Sequence, residues 1–125
     1  MNEVQFRLRP RSRGEMKVAV PERGKRPRIA EVLALAISFD DLIGRGLAKD
    51  YSDLARLGCL SKERISQVMR LLLLAPEIQQ EILTLPQTPH GRFPVGEVAL
   101  RQIASRLLWS EQRQMWNHLQ EAVRG

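Results

Sequence analysis

Six polar residues between positions 62 and 70 carry groups that can contact the edges of base pairs. They are Lys62, Glu63, Arg64, Ser66, Gln67 and Arg70. The Gln67 amide matches the donor and acceptor of adenine, and Arg64 or Arg70 matches the two acceptors of guanine. A carboxylate such as that of Glu63 can accept from cytosine N4. These residues predict base contacts if one helix presents them together, whereas a solvated helix face could have the same composition.

The net charge of the chain is concentrated in its first quarter. The protein has 125 residues and a formal net charge of +6. Residues 1–28 hold nine basic residues against three acidic ones, and the rest of the chain is balanced. Because this segment is also rich in proline and glycine, we expect an extended basic arm that tracks phosphates or enters a minor groove. The alternatives are a solubilising tail, or an arm that binds RNA or an acidic protein.

Phosphate contacts are expected from the arm and from the start of each short helix. The arm residues are Arg7, Arg9, Arg11, Arg13, Lys25, Arg26 and Arg28. Ser52 and Lys62 have suitable side chains as well, and Ser61 is also expected to contact DNA.

Composition argues against several other classes of protein. One cysteine and two histidines cannot form a disulfide framework or a Cys₄ zinc site, and His90 and His118 have no acidic cluster beside them. The apolar run at 71–75 is far shorter than the roughly 20 residues that span a bilayer. We therefore expect an intracellular protein with no catalytic residues, metal or cofactor, and not an enzyme.

Apolar residues recur at helical spacing from Ile29 onward and predict an all-α fold of about six helices. The first helix is expected at about 28–45, and the second is capped by Asp50 or Ser52 and ends at a left-handed Gly58. The third is capped by Ser61 and has Leu72 and Leu73 on its buried face, and the fourth covers residues 76–85. A fifth helix is expected from Val95 to Leu107, and a sixth is capped by Ser110.

Three prolines and a glycine between residues 86 and 94 indicate a linker. The predicted organisation is a basic N-terminal arm at 1–28, a helix-turn-helix domain at 29–85, the linker at 86–94 and a C-terminal helical hairpin at 95–125. Trp109 and Trp116 are expected to close the core of the hairpin, and Cys59 is expected to be a small packing residue.

The segment from Tyr51 to Leu74 has the residue types that a helix-turn-helix requires. Ala55 is small enough for a close helix crossing, and Gly58 suits the start of the turn. Ser61 can cap the second helix, and Ile65 and Val68 can face inward. The turn glycine of the commonest pattern lies one residue later, so we expect a tighter or irregular turn. The second helix would enter the major groove through its N-terminal residues.

The string LARLGCLSKERISQVMRLLLLAPEIQQEIL, residues 54–83, resembles the helix-turn-helix of the ParB/KorB-type DNA-binding superfamily. It is still more similar to the C-terminal DNA-binding region of a group of bacterial serine recombinases, including their Leu-Leu-Ala-Pro-Glu-Ile step. The Trp-x-Glu-Gln-Arg motif at residues 109–113 belongs to the same resemblance, which covers about residues 29–116.

The chain also departs from both families. It has no room for the recombinase catalytic domain, and its Gly24-Lys25-Arg26 is too slight to replace the paired-arginine box of ParB proteins. The resemblance therefore implies binding of double-stranded DNA in the bacterial cytoplasm, at the nucleoid, without recombination or nucleotide hydrolysis. Assistance to a recombinase or a partition protein is implied by kinship alone.

Two other function classes remain open at this point. In one, the basic arm binds RNA and the helices serve as scaffold. In the other, the chain is a protein-interaction module whose partner surface contains Leu71, Leu74 and Trp116. A homodimer is expected in the DNA-binding case, since one motif contacts only a few base pairs and paired half-sites add specificity.

Overall fold

The computed structural model describes residues 25–88 and 93–124, and this part of the chain is all-α, as predicted. It contains six α-helices and one 3₁₀ turn: α1 Arg28–Gly44, α2 Tyr51–Gly58, α3 Lys62–Met69, the 3₁₀ turn Arg70–Leu73, α4 Pro76–Leu83, α5 Glu97–Ala104 and α6 Trp109–Arg124. Within these ranges no strand forms, although Lys25 and Thr88 make an isolated antiparallel bridge. The arm up to residue 24 and His90 lie outside the described residues.

One hydrophobic cluster holds the helices together. Helix α1 packs against α3 and α4, α2 packs against α3, and α5 contacts both the 3₁₀ turn and α6. The cluster runs from Ile29 on α1 to Trp116 on α6. Buried side chains from both sides of the predicted linker thus belong to the same cluster, and the proposed domain boundaries stay a prediction.

Local signals set the beginnings of the short helices. The Asp50 carboxylate accepts from the Asp53 backbone N–H at 3.0 Å and caps α2. The Ser61 hydroxyl accepts from the Arg64 backbone N–H at 3.0 Å and caps α3. Pro76 occupies the first turn of α4, where its missing N–H costs nothing. These three features were predicted from residue type, because each depends on neighbours within a few positions.

The expectation that Leu73 faces the core is wrong. Helix α3 ends at Met69 and tightens into the 3₁₀ turn, which has about three residues per turn instead of 3.6. The buried face then follows Val68, Leu71 and Leu74, and Leu73 is exposed. The shorter helical period therefore places Leu71 and Leu74 in the core and Leu73 on the surface.

The turn between α2 and α3 also differs from expectation. Gly58 is the last helical residue, and Cys59 takes the left-handed conformation, with φ 55° and ψ 44°. The backbone N–H of Leu60 then donates to Ala55 O at 3.0 Å, which closes the helix end in the usual Schellman manner. Cys59 is exposed and is not the packing residue that we expected.

Replacement of Cys59 by glycine is expected to raise the free energy of unfolding by about 0.5–1 kcal/mol, since glycine adopts positive φ without the steric cost of a Cβ atom. Urea unfolding followed by circular dichroism measures the change. Cys59→Ser keeps the Cβ atom and should leave stability nearly unaltered. A Cys59→Gly protein less stable than Cys59→Ser would show that the turn is not strained.

Helix α5 ends earlier than expected, and helix α6 begins earlier than expected. Helix α5 ends at Ala104, so Leu107 lies in the connection to α6 and is 95% exposed. Helix α6 begins at Trp109, which places Ser110 inside the first turn and not at the cap. Trp116 is buried as predicted, but Trp109 is half exposed. Leu71, Leu74 and Trp116 are all buried in the core and therefore cannot form the suggested partner surface.

Candidate nucleic-acid interface

Helices α2 and α3 form a two-helix unit that is fixed to the rest of the molecule by its inner face. Leu54 of α2 and Ile65 and Val68 of α3 are fully buried. Three residues, Cys59 to Ser61, connect the helices, and α3 also packs against α1. This arrangement holds the N-terminal half of α3 in one orientation and leaves its outer face to solvent, as a recognition helix requires.

The outer face of α3 presents several of the residues that the sequence singled out. Lys62, Glu63 and Arg70 are exposed, and Ser66 is half-buried. Ser52 is exposed in the first turn of α2, which Asp50 caps. Lys62 and Glu63 thus lie in the first turn of α3, at its positive end, and Arg70 begins the 3₁₀ turn at the other end.

Arg64 differs from its neighbours because its guanidinium already has a partner. Its Nη1 and Nη2 donate to the two carboxylate oxygens of Glu97, at 2.5 Å and 2.9 Å. Arg101, one turn along α5, also donates to Glu97. The Arg64 and Glu97 side chains are only 29% and 18% exposed. This three-residue cluster links the candidate recognition helix to α5.

Gln67 is joined to the same cluster. Arg64 Nη1 donates to Gln67 Oε1 at 3.1 Å, across one turn of α3. Gln67 is half-buried, and its amide nitrogen has no hydrogen-bond acceptor among the residues described. The structure therefore brings Arg64 and Gln67 together, and Arg64 is bound in turn by Glu97.

A second charged group organises the start of α2. Asp53 accepts from the Lys49 backbone N–H at 2.8 Å and from the Arg56 guanidinium at 2.7 Å. The hydrogen bond from Lys49, followed by that from Arg56, lowers the pKa of the Asp53 carboxyl. The carboxylate is therefore ionised at neutral pH and orders the residues just before α2.

The last residues of the predicted arm lie beside the helical domain. Lys25 exchanges two backbone hydrogen bonds with Thr88, at 2.8 Å and 2.9 Å. Lys25, Arg26 and Arg28 are exposed. Arg7, Arg9, Arg11 and Arg13 fall outside the described residues, and their roles stay predictions.

Glu97 should make the stability of the protein sensitive to acid. The Arg64 hydrogen bond, helped by both arginine charges, lowers the pKa of the Glu97 carboxyl below its ordinary value. A carboxyl with a lowered pKa in the folded state stabilises the protein above its unfolded pKa of about 4.3, and this contribution is lost as the pH falls further. Glu97→Gln is therefore expected to lose less stability than the wild type on going from neutral pH to about pH 3. Urea unfolding of both proteins at the two pH values measures this, and equal losses would contradict it.

Glu97 and Arg101 belong to the candidate site, although they were not predicted from the sequence. Their spacing of four residues indicates a pair on one helix. No pattern in the sequence connects that pair with Arg64, which is 33 residues earlier. Only the packing of α5 beside the 3₁₀ turn after α3 brings the groups together.

No helix within the described ranges is long and apolar enough to cross a membrane. The same residues contain no group of three histidine, cysteine, aspartate or glutamate side chains placed to hold a metal ion. No protein-family model, curated protein or solved structure gives a match to this chain.

Proposed function

We propose that this protein binds double-stranded DNA, with α3 in the major groove and the basic arm on the phosphate backbone. The observation that carries the proposal is the α2–α3 unit, whose inner face is fixed in the core while Lys62, Glu63 and Arg70 face solvent. The capped N-terminus of α3, with Ser61 as its cap, adds a favourable dipole for a nearby phosphate.

The charge distribution supports the same proposal. Residues 29–125 carry no net charge, so the helical domain by itself gains little from non-specific attraction to DNA. The surplus of six positive charges in residues 1–28 would supply that attraction. Affinity would thus come largely from the arm, and sequence preference from α3.

The resemblance of residues 29–116 to ParB/KorB-type proteins and serine recombinases suggests a cellular setting. We infer a bacterial protein of the cytoplasm and nucleoid that acts as a homodimer or beside a recombinase or partition protein. Paired half-sites would then compensate for the few base pairs that a single α3 helix contacts.

A selection from random duplex DNA at near-physiological salt, followed by sequencing of the retained molecules, tests the proposal. We expect a defined enriched motif, and an inverted repeat if the protein is a dimer. Recovery without enrichment would leave only attraction by charge and would contradict readout by α3. Single-stranded and duplex RNA in parallel selections test the alternative that the arm binds RNA.

A protein-interaction role is a second candidate, carried by a surface other than the one predicted. Leu107, Leu108 and Trp109 are consecutive exposed residues at the α5–α6 connection, and the backbone carbonyls of exposed Leu73 and of Arg106 both accept from the Gln112 side chain. Apolar groups clustered in this way often contact another protein. Absence of binding to any nucleic acid would favour this role.

A further inference from the structure

We propose that Glu97 and Arg64 are positioning residues that hold Gln67 with its amide nitrogen outward, so that Gln67 selects guanine and not adenine. This inference rests on the proposed binding of duplex DNA. It replaces two expectations from the sequence, namely that Arg64 itself contacts a base and that Gln67 pairs with adenine.

The orientation of the Gln67 amide follows from the chemistry of its neighbour. A guanidinium has only donors, so the amide atom that it meets must be the oxygen. Arg64 Nη1 lies 3.1 Å from that oxygen, which fixes the amide nitrogen on the opposite side. A flipped amide would set N–H groups against a cation.

Glu97 prevents Arg64 from leaving this position. Both of its carboxylate oxygens accept from Arg64, in the two-pronged geometry that restrains a guanidinium most strongly. Arg101 donates to Glu97 in turn and holds the carboxylate in place. All three side chains are largely shielded from solvent, which weakens the competition from water.

This orientation changes which base Gln67 can recognise. Recognition of adenine by glutamine uses the amide oxygen to accept from N6 and the amide nitrogen to donate to N7. In this protein the oxygen already accepts from Arg64, and the guanidinium places positive charge where the hydrogens of an incoming amino group would lie. The free N–H₂ group instead suits guanine, whose N7 and O6 both accept.

The test begins with the motif selected by the wild type. The base pair read by Gln67 is the one whose preference disappears in Gln67→Ala. Affinities are then measured for duplexes that carry guanine or adenine at that position. We expect the wild type to prefer guanine by about tenfold, which lies within the range of a good base contact.

Removal of the positioning carboxylate should remove this preference selectively. In Glu97→Ala the guanine-to-adenine ratio is expected to fall to about twofold or less, because Arg64 no longer holds the Gln67 oxygen. Glu97→Gln, which keeps the side-chain shape, gives a second variant if the alanine protein is unstable. Glu77→Ala is the matched control, because it also removes a carboxylate that is paired with an arginine. Glu77 lies on α4, and its partner Arg113 lies 3.5 Å away on α6. The control should keep the wild-type ratio.

The outcomes separate this inference from the proposed function. A wild type that enriches no motif overturns the proposed function and the inference with it. A motif with adenine at the Gln67 position, or one that Gln67→Ala leaves unchanged, overturns the inference but leaves DNA binding in place. A guanine preference that survives in both Glu97 variants overturns the positioning role of Glu97.

Discussion

Replacement of Gln112 by leucine is expected to lower the free energy of unfolding by about 3 kcal/mol. Gln112 is 1% exposed and is the buried polar residue of the described core. Its Oε1 accepts from the Ala75 backbone N–H at 2.7 Å, and its Nε2 donates to the carbonyls of Leu73 and Arg106, each at 3.1 Å. One side chain thus satisfies three backbone groups where the 3₁₀ turn, α4 and the α5–α6 connection meet.

The size of this effect follows from what leucine would leave behind. The N–H of fully buried Ala75 would lose its acceptor, and an unsatisfied buried group costs about 1–3 kcal/mol. The two carbonyls belong to exposed residues, so water can replace part of their hydrogen bonding. Urea unfolding measures the difference, with Gln114→Leu on the exposed face of α6 as the matched control. A loss below about 1 kcal/mol, similar to that of an ordinary surface change, would contradict the structural role of Gln112.

Simultaneous replacement of Arg7, Arg9, Arg11 and Arg13 by alanine is expected to weaken DNA binding by about 10²–10³-fold at 0.15 M salt. Each phosphate contact contributes about 0.9 to the slope of log K against log salt, so four lost contacts flatten that slope by about 3.6. Counterion release vanishes at about 1 M salt, so the two proteins should bind DNA equally well there. The difference in slope, followed from about 1 M down to 0.15 M, gives the stated loss of affinity. Affinity for all duplex sequences should fall alike, since phosphates carry no sequence information.

Salt titrations of binding to the selected duplex and to a scrambled duplex measure both quantities. The change Arg45→Ala removes an exposed arginine that is paired with Asp41 on α1 and serves as a control for loss of charge outside the arm. An unchanged slope in the fourfold variant would show that the arm does not contact phosphates. Loss of all sequence preference together with the affinity would favour the RNA-binding alternative, in which the arm acts alone.

Features of the fold that have a local cause could be predicted from the sequence. The caps at Asp50 and Ser61 and the start of α4 at Pro76 depend only on residues within one helical turn. The six helices follow from apolar spacing, because each has one face against the common core. The turn was placed correctly at residues 58–60, although Cys59, and not Gly58, adopts the left-handed conformation.

Errors arose where a helical period was assumed to continue or where the partner is distant in sequence. Leu73 and Leu107 were assigned to buried faces by extending the 3.6-residue spacing beyond the ends of α3 and α5. Glu97, which binds Arg64, and Ala75 and Leu73, which bind Gln112, lie more than 30 residues from those side chains, and no spacing rule connects them. The part of the candidate site that controls Gln67 was therefore not predictable from the sequence alone.

The most direct test of the proposed role of α3 is an NMR titration of the ¹⁵N-labelled full chain with the selected duplex. We expect the largest shift changes at the backbone amides of Lys62 to Gln67 and at the Gln67 side-chain amide, with smaller changes in the basic arm. A scrambled duplex should shift the arm resonances and affect α3 much less. Shifts confined to residues 1–28 with both duplexes, and an unperturbed α3, would contradict recognition of DNA by this helix.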